Sequence, residues 1–307
     1  MARILSHVDL LAQLASRQLL VVTGKGGVGK SAVAATLGSL LARAGRRALV
    51  LEVDPRENVH QMLGVSPSGG DIVEAAIVEG TGRLYLQNLP PRQVVDQLVR
   101  ERVRIDLVAR RILASPLYHN FVEGAPGLEE AAILGHCLLL AEGRSAGAPP
   151  LDVVVLDAPA TGHGVSLLSA PTLVSEAIAA GPVAELTGEV AELIADTERS
   201  AMVVVTLAEE MPVTEALELR GELATRLDRS PELLVVNQLL PAGPPRPKAG
   251  ESDAARLWRR RRRLQDREVA RLAAAWDGER WELPLLPIDR GPELIEALAA
   301  AAVGEGG

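Results

Sequence analysis

Apolar residues fall along this chain in two alternating rhythms. Short unbroken runs rich in Val, Leu and Ile read as buried strands at residues 19–23, 47–53, 84–87, 151–156, 201–207, 233–236 and 283–287. Between them, apolar residues recur three and four apart, the spacing of one helix face. Residues 31–43 follow that spacing with Val33, Leu37, Leu40 and Leu41, and Gly45 ends the run. Residues 1–17 predict a short amphipathic lead-in helix, 254–276 a basic helix and 292–303 a closing helix. Residues 91–144 are helical throughout, broken at Pro116 and restarted at Pro126. That stretch is long for a crossover between strands and predicts a helical subdomain. Strand and helix in turn predict an α/β fold with a mostly parallel sheet and helices on both faces. The expectation is one domain over 1–307 with the helical subdomain at about 91–144.

Composition narrows the class. The chain has 307 residues, 48% hydrophobic but only 2% aromatic, so its core must be packed from aliphatic side chains. A net charge of −8 argues against general nucleic-acid binding. The single cysteine, Cys137, excludes a disulfide framework and any zinc or iron–sulfur centre built from one chain's thiols. No apolar run is long enough to span a membrane and no signal peptide is evident, so the expected location is cytoplasmic. Residues 241–253 read as a Pro- and Gly-rich loop. The run Arg259 to Arg263 reads first as a solvated helix face, with a role towards a partner or an anionic surface as the alternative.

The chemistry lies at the first strand-to-helix junction. Gly24-Lys-Gly-Gly-Val-Gly-Lys-Ser31 is a complete phosphate-binding loop at a helix N-terminus. Gly24, Gly26, Gly27 and Gly29, with Val28 between them, let backbone N–H groups converge on an anion. Lys30 brings charge to the outer phosphates, and the Ser31 hydroxyl suits Mg2+. Asp157, ending an apolar strand, is placed to hold the metal's shell or to cap a helix. Asp54, ending the second strand, is the candidate to orient the attacking water, or else a turn-former before Pro55. Asn237 suits an adenine edge or a turn, and His163 is a candidate for coupling nucleotide state to movement or a loop-filling residue.

Together these segments resemble the arsenite-pump ATPase family, which includes the eukaryotic factor that delivers tail-anchored membrane proteins. The loop, with its second lysine Lys25, is similar to the "deviant" phosphate loop of dimeric ATPases, in which that lysine reaches the partner subunit's nucleotide. Asp54-Pro55 with Asn58 resembles the family's first switch, and Asp157 to His163 its second. Residues 236–239 resemble the adenine-contacting segment, and Pro287-Ile288 falls where the family closes over the base. The resemblance implies ATP and Mg2+ as cofactors. It implies Asp54, Lys25 and Lys30 as catalytic residues, and a homodimer whose nucleotide state is coupled to a protein partner or client.

The chain also departs from the pattern. Arg56 and Glu57 stand in place of Ala-His in the first switch. One cysteine cannot form a three-sulfur arsenite site, residues 241–253 lack the Cys-x-x-Cys zinc clasp, and 4 methionines are few for a client groove. No arsenite site is therefore expected. The rival readings are a chromosome-partitioning or division-site ATPase and a non-hydrolysing nucleotide-binding scaffold.

Overall fold

The structure is a computed structural model that describes residues 7–54, 56–76, 80–103, 105–159, 164–178, 180–241 and 252–304. In chain order these form α1 (His7–Ala15), β1 (Leu19–Thr23), α2 (Lys30–Arg43), β2 (Arg47–Glu52), α3 (Asn58–Met62), β3 (Val73–Ala75) and β4 (Arg83–Asn88). Then come α4 (Pro91–Arg102), α5 (Asp106–Leu113), α6 (Pro116–Gly124), α7 (Leu128–Ala141), β5 (Val153–Asp157), α8 (Gly164–Ala177) and α9 (Pro182–Ala195). The rest is β6 (Ser200–Leu207), α10 (Glu210–Leu227), β7 (Leu233–Leu239), α11 (Asp253–Ala275), β8 (Glu279–Pro284) and α12 (Pro292–Val303).

The strands make one sheet in the order β3-β4-β2-β5-β1-β6-β7-β8. Every pairing is parallel except β3 with β4, which is antiparallel. Because successive strand residues point to opposite faces, each central strand feeds two cores. Leu19, Val21, Leu49, Leu51, Val154 and Leu156 face one, and Leu20, Val22, Ala48, Val50, Val153 and Val155 the other. This is the α/β sandwich that apolar strands without polar alternation require.

One helix is the centrepiece of each face. Helix α2 is buried from Ala32 to Ala42, with α1, α3 and α12 beside it. Helix α7 is buried from Ala131 to Leu140 and lies among α4, α8 and α9. Helices that are apolar all round belong inside a fold, and these two have no polar stripe to offer water. Cys137 is wholly buried in α7, and burial pushes its thiol pKa far up. A third, smaller core forms where α10 and α11 meet β6 and β7, around Trp276, Leu272 and Val236.

Two strand expectations change. The last strand is Glu279–Pro284, not 283–287. Trp281 and Leu283 alternate into the core while Glu282 points out, and Pro284 ends the element. Strand β7 continues past Val236 to Leu239, so Asn237 sits within it, beside a register irregularity with Gln238 at φ 57. The three-residue edge strand β3 carries no sequence signal of its own. Pro55, His163 and its neighbours 160–162, and most of the 241–253 loop lie outside the described residues.

Candidate nucleotide site

The site assembles at the C-terminal ends of the central strands, where open α/β sheets leave a crevice. The phosphate loop leaves β1 and enters α2, so its N–H groups sit at the positive end of a buried helix. Two glycines leave no room for a side chain. A Cβ at Gly24, whose φ is +146, would lie 2.2 Å from the Val205 carbonyl oxygen. A Cβ at Gly29, φ +93, would lie 2.3 Å from Asn237 Nδ2.

Asn237 is 4% exposed and is tied to this loop. Its Nδ2 donates to the Val28 carbonyl at 2.9 Å, and its Oδ1 accepts from the Gln238 N–H at 2.9 Å. A residue picked out for the base thus braces the glycine-rich loop.

Lys30 is buried, and its Nζ donates to the Lys25 carbonyl at 3.0 Å across the loop. Burial lowers its pKa, while the charges of Asp157 and Asp54 pull it back up. The three groups picked from separate stretches of sequence are therefore close enough to feel one another. Asp157 ends β5, level with Val22 on β1 and Glu52 on β2. Its carboxyl is pushed up to about 7, first by burial and further by Glu52 and Asp54, with Ser31 and Lys30 opposing. Its Oδ1 is buried without a hydrogen-bond partner among the described residues.

Asp54 follows β2. Its Oδ1 accepts from the Arg56 N–H at 2.8 Å, and its carbonyl accepts from Asn88 Nδ2 at 2.8 Å. Glu57, at φ 50, adopts the left-handed conformation rare outside glycine. Glu52 then takes the N–H groups of Asn58 and Val59 at 2.6 and 3.1 Å, with His60 Nδ1 at 3.7 Å from the same carboxylate. Glu52 and Asn88 thus hold the chain at Asn58 and Val59 and at Asp54. Sequence reasoning passed over them; the signal available was a carboxylate inside the apolar run Leu49-Val50-Leu51-Glu52-Val53.

Lys25 reaches a carboxylate on α10. Its Nζ lies 2.5 Å from Glu215 Oε1 on α10, so it has an ion-pair partner in its own chain. Pro287 and Ile288 lie on the β8–α12 connection, just past Leu285, whose N–H reaches the Leu239 carbonyl. That places them beside the end of β7.

A family model described as "Anion-transporting ATPase" matches residues 17–185, from before β1 through the first turn of α9. The chain belongs to this family. Among the relatives of this chain, ATPase BagA of Mycobacterium tuberculosis is 29% identical over 238 residues, 77% of this chain and 69% of that one. An arsenical pump-driving ATPase of Escherichia coli is 27% identical over 258 residues, 78% of this chain but 42% of its own length. An ATPase ASNA1 homolog of Cryptosporidium parvum is 29% identical over 168 residues, 55% of this chain and 42% of that one. This chain therefore matches less than half the length of the last two. Among the described residues, no helix is long and apolar enough to cross a membrane.

Proposed function

We propose that this anion-transporting ATPase family member hydrolyses ATP with Mg2+, as a homodimer whose nucleotide state governs a protein partner or client. The observation that carries the reading is the orphaned Asp157 Oδ1, buried beside Ser31 at the start of α2 and within the field of Lys30. A buried carboxylate oxygen with no partner invites a cation. Among the described residues, no three His, Cys, Asp or Glu side chains converge as a cage, which fits an ion held largely by phosphate oxygens and water.

In this reading the loop from Gly24 to Gly29 and Lys30 hold the phosphates. Ser31 binds the ion directly and Asp157 holds its shell. When bound, Mg2+ would supply charge neutralisation for the transferring phosphoryl group. Asp54 accepts a hydrogen bond from the attacking water and orients it in line. Asn237 fixes Val28 and stands beside the base, with Pro287 and Ile288 closing over it. Lys25 leaves Glu215 to reach the partner subunit's phosphates.

Helices α4 to α7, the subdomain at about 91–144, are the proposed partner-facing part. Val95, Leu98, Val122, Ala131, Val183 and Leu186 are among the residues lining an apolar cavity of about 280 Å3 between these helices and α9. Leu107 and Leu117 are exposed on α5 and α6. The test is phosphate release with ATP, with Mg2+ and with a chelator. Turnover that needs Mg2+ and disappears in Lys30→Ala supports the reading; an inert protein that still binds ATP leaves a scaffold.

A further inference from the structure

Helix α11 carries a separation of charge that the nucleotide site does not use. Between Asp253 and Arg271 it holds eight arginines and three acidic residues, in a chain of net charge −8. Its inner side is committed to the fold. Leu272 and Trp276 enter the third core, Gln265 bonds the Leu240 N–H and the Gln238 carbonyl, and Arg262 donates to the Leu240 carbonyl. Arg256, Arg261 and Arg271 pair with Asp253, Glu209 and Glu268.

Arg260, Arg263 and Arg267 are different. They are exposed, and no ion pair to them occurs among the described residues. Their spacing puts them on one face of the helix. Leu257, 59% exposed, and Leu264, 48% exposed, lie on that same face.

We propose that this face of α11 docks in the interface of an anionic phospholipid bilayer. Clustered arginines on an amphipathic helix match the phosphates of an acidic leaflet, and leucine beside them settles at the boundary between headgroup and acyl chain. A two-fold pairing of this face with its own copy would set arginine against arginine. A nucleic-acid backbone satisfies the arginines but gives the two leucines nothing to bury them. The helix lies on the bilayer rather than through it.

The experiment is flotation of the full chain with phosphatidylcholine vesicles and with mixed phosphatidylcholine–phosphatidylglycerol vesicles. The expected result is binding to the mixed vesicles alone, weakening as salt rises. Arg260→Gln, Arg263→Gln and Arg267→Gln together should weaken apparent affinity about a hundredfold. Leu257→Ser with Leu264→Ser should weaken it further than salt alone does, with thermal melting unchanged. As a control for net charge, Arg110→Gln with Arg111→Gln on α5 should bind as the parent does. Failure to float with acidic vesicles overturns the proposal, as does an equal loss in the α5 control. Leucine variants that bind like the parent, with duplex DNA competing fully, would reduce the face to a general phosphate attractor and also overturn it.

Discussion

Lys25 Nζ and Glu215 Oε1 stand 2.5 Å apart, and the two residues are 190 positions apart in the chain. The second lysine of the phosphate loop is therefore engaged by α10 of its own subunit. Both side chains are partly exposed, at 42% and 34%, so the pair is a weak hold, worth about 0.2–1 kcal/mol. A contact of that size is well suited to be exchanged for a phosphate across an interface. If Lys25 acts on the partner's nucleotide, Glu215 is its competitor.

The first prediction separates the two states of Lys25. Glu215→Gln should raise steady-state turnover by no more than about fivefold, the release of one exposed pair. Lys25→Ala should bind ATP nearly as the parent does in calorimetry, yet lose about a thousandfold in turnover, the scale of a finger residue supplied in trans. Light scattering with a non-hydrolysable ATP analogue and Mg2+ should show a dimer. A fully active Lys25→Ala would return Lys25 to the role of an α10 tether.

The second prediction divides the work of Lys30 and Asp54. Lys30→Ala removes the buried cation that Asp157 and Asp54 face, so both nucleotide binding and turnover should fall. Asp54→Asn keeps the shape of the segment, because an amide oxygen still accepts from the Arg56 N–H. It should hold ATP and lose turnover. Parent-level phosphate release from Asp54→Asn would take the attacking water away from this residue. ATP should also bind more tightly than GTP in the parent, since Asn237 offers no carboxylate to the guanine N–H groups.

What the sequence made legible depended on how far apart the interacting residues lie. The phosphate loop, Asp54 and Asp157 each close an apolar run, and a parallel sheet brings the ends of such runs together without further information. The closing helix is found at Pro292–Val303, as its Pro start and apolar spacing predict. Glu215 and Asn88 were illegible because each is an ordinary surface or strand-end residue until a distant segment packs on it. Strand β8 was displaced because its first residues, Glu279 and Arg280, are charged, and only pairing with Leu233 and Leu234 makes them a strand. Asn237 shows the reverse error of emphasis: its chemistry was visible, but its tie to Val28 needed the fold.

The third prediction concerns acid stability. His136 is wholly buried in α7, with Nε2 2.9 Å from Gln87 Oε1, and burial depresses its pKa to about 4. The unfolded chain would bind a proton near pH 6.5, which the folded chain refuses until about pH 4. More protons on the unfolded state means that stability rises with pH across that window and is lost as pH falls through it. The loss attributable to this residue is about 3 kcal/mol at most. Urea unfolding of His136→Gln should show a flatter pH dependence between those limits than the parent. Parallel curves would mean that His136 does not set the acid limb.

The fourth prediction tests the close approach of Gly29 to Asn237. Asn237→Ala removes one hydrogen bond to the Val28 carbonyl and should cost about 1 kcal/mol of stability, with a modest loss of ATP affinity. Gly29→Ala meets two separate penalties. Its new Cβ would lie 2.3 Å from Asn237 Nδ2, and its φ of +93 is one that side chains rarely tolerate. The double variant Gly29→Ala/Asn237→Ala relieves the first and keeps the second. It should therefore recover part of the ATP affinity that Gly29→Ala alone loses, while remaining about 1–2 kcal/mol short of Asn237→Ala. Simple additivity in a calorimetric double-variant cycle would show that the two residues are not in contact when nucleotide is bound. A double variant equal to Asn237→Ala would mean that the loop has another way to accommodate a side chain at position 29.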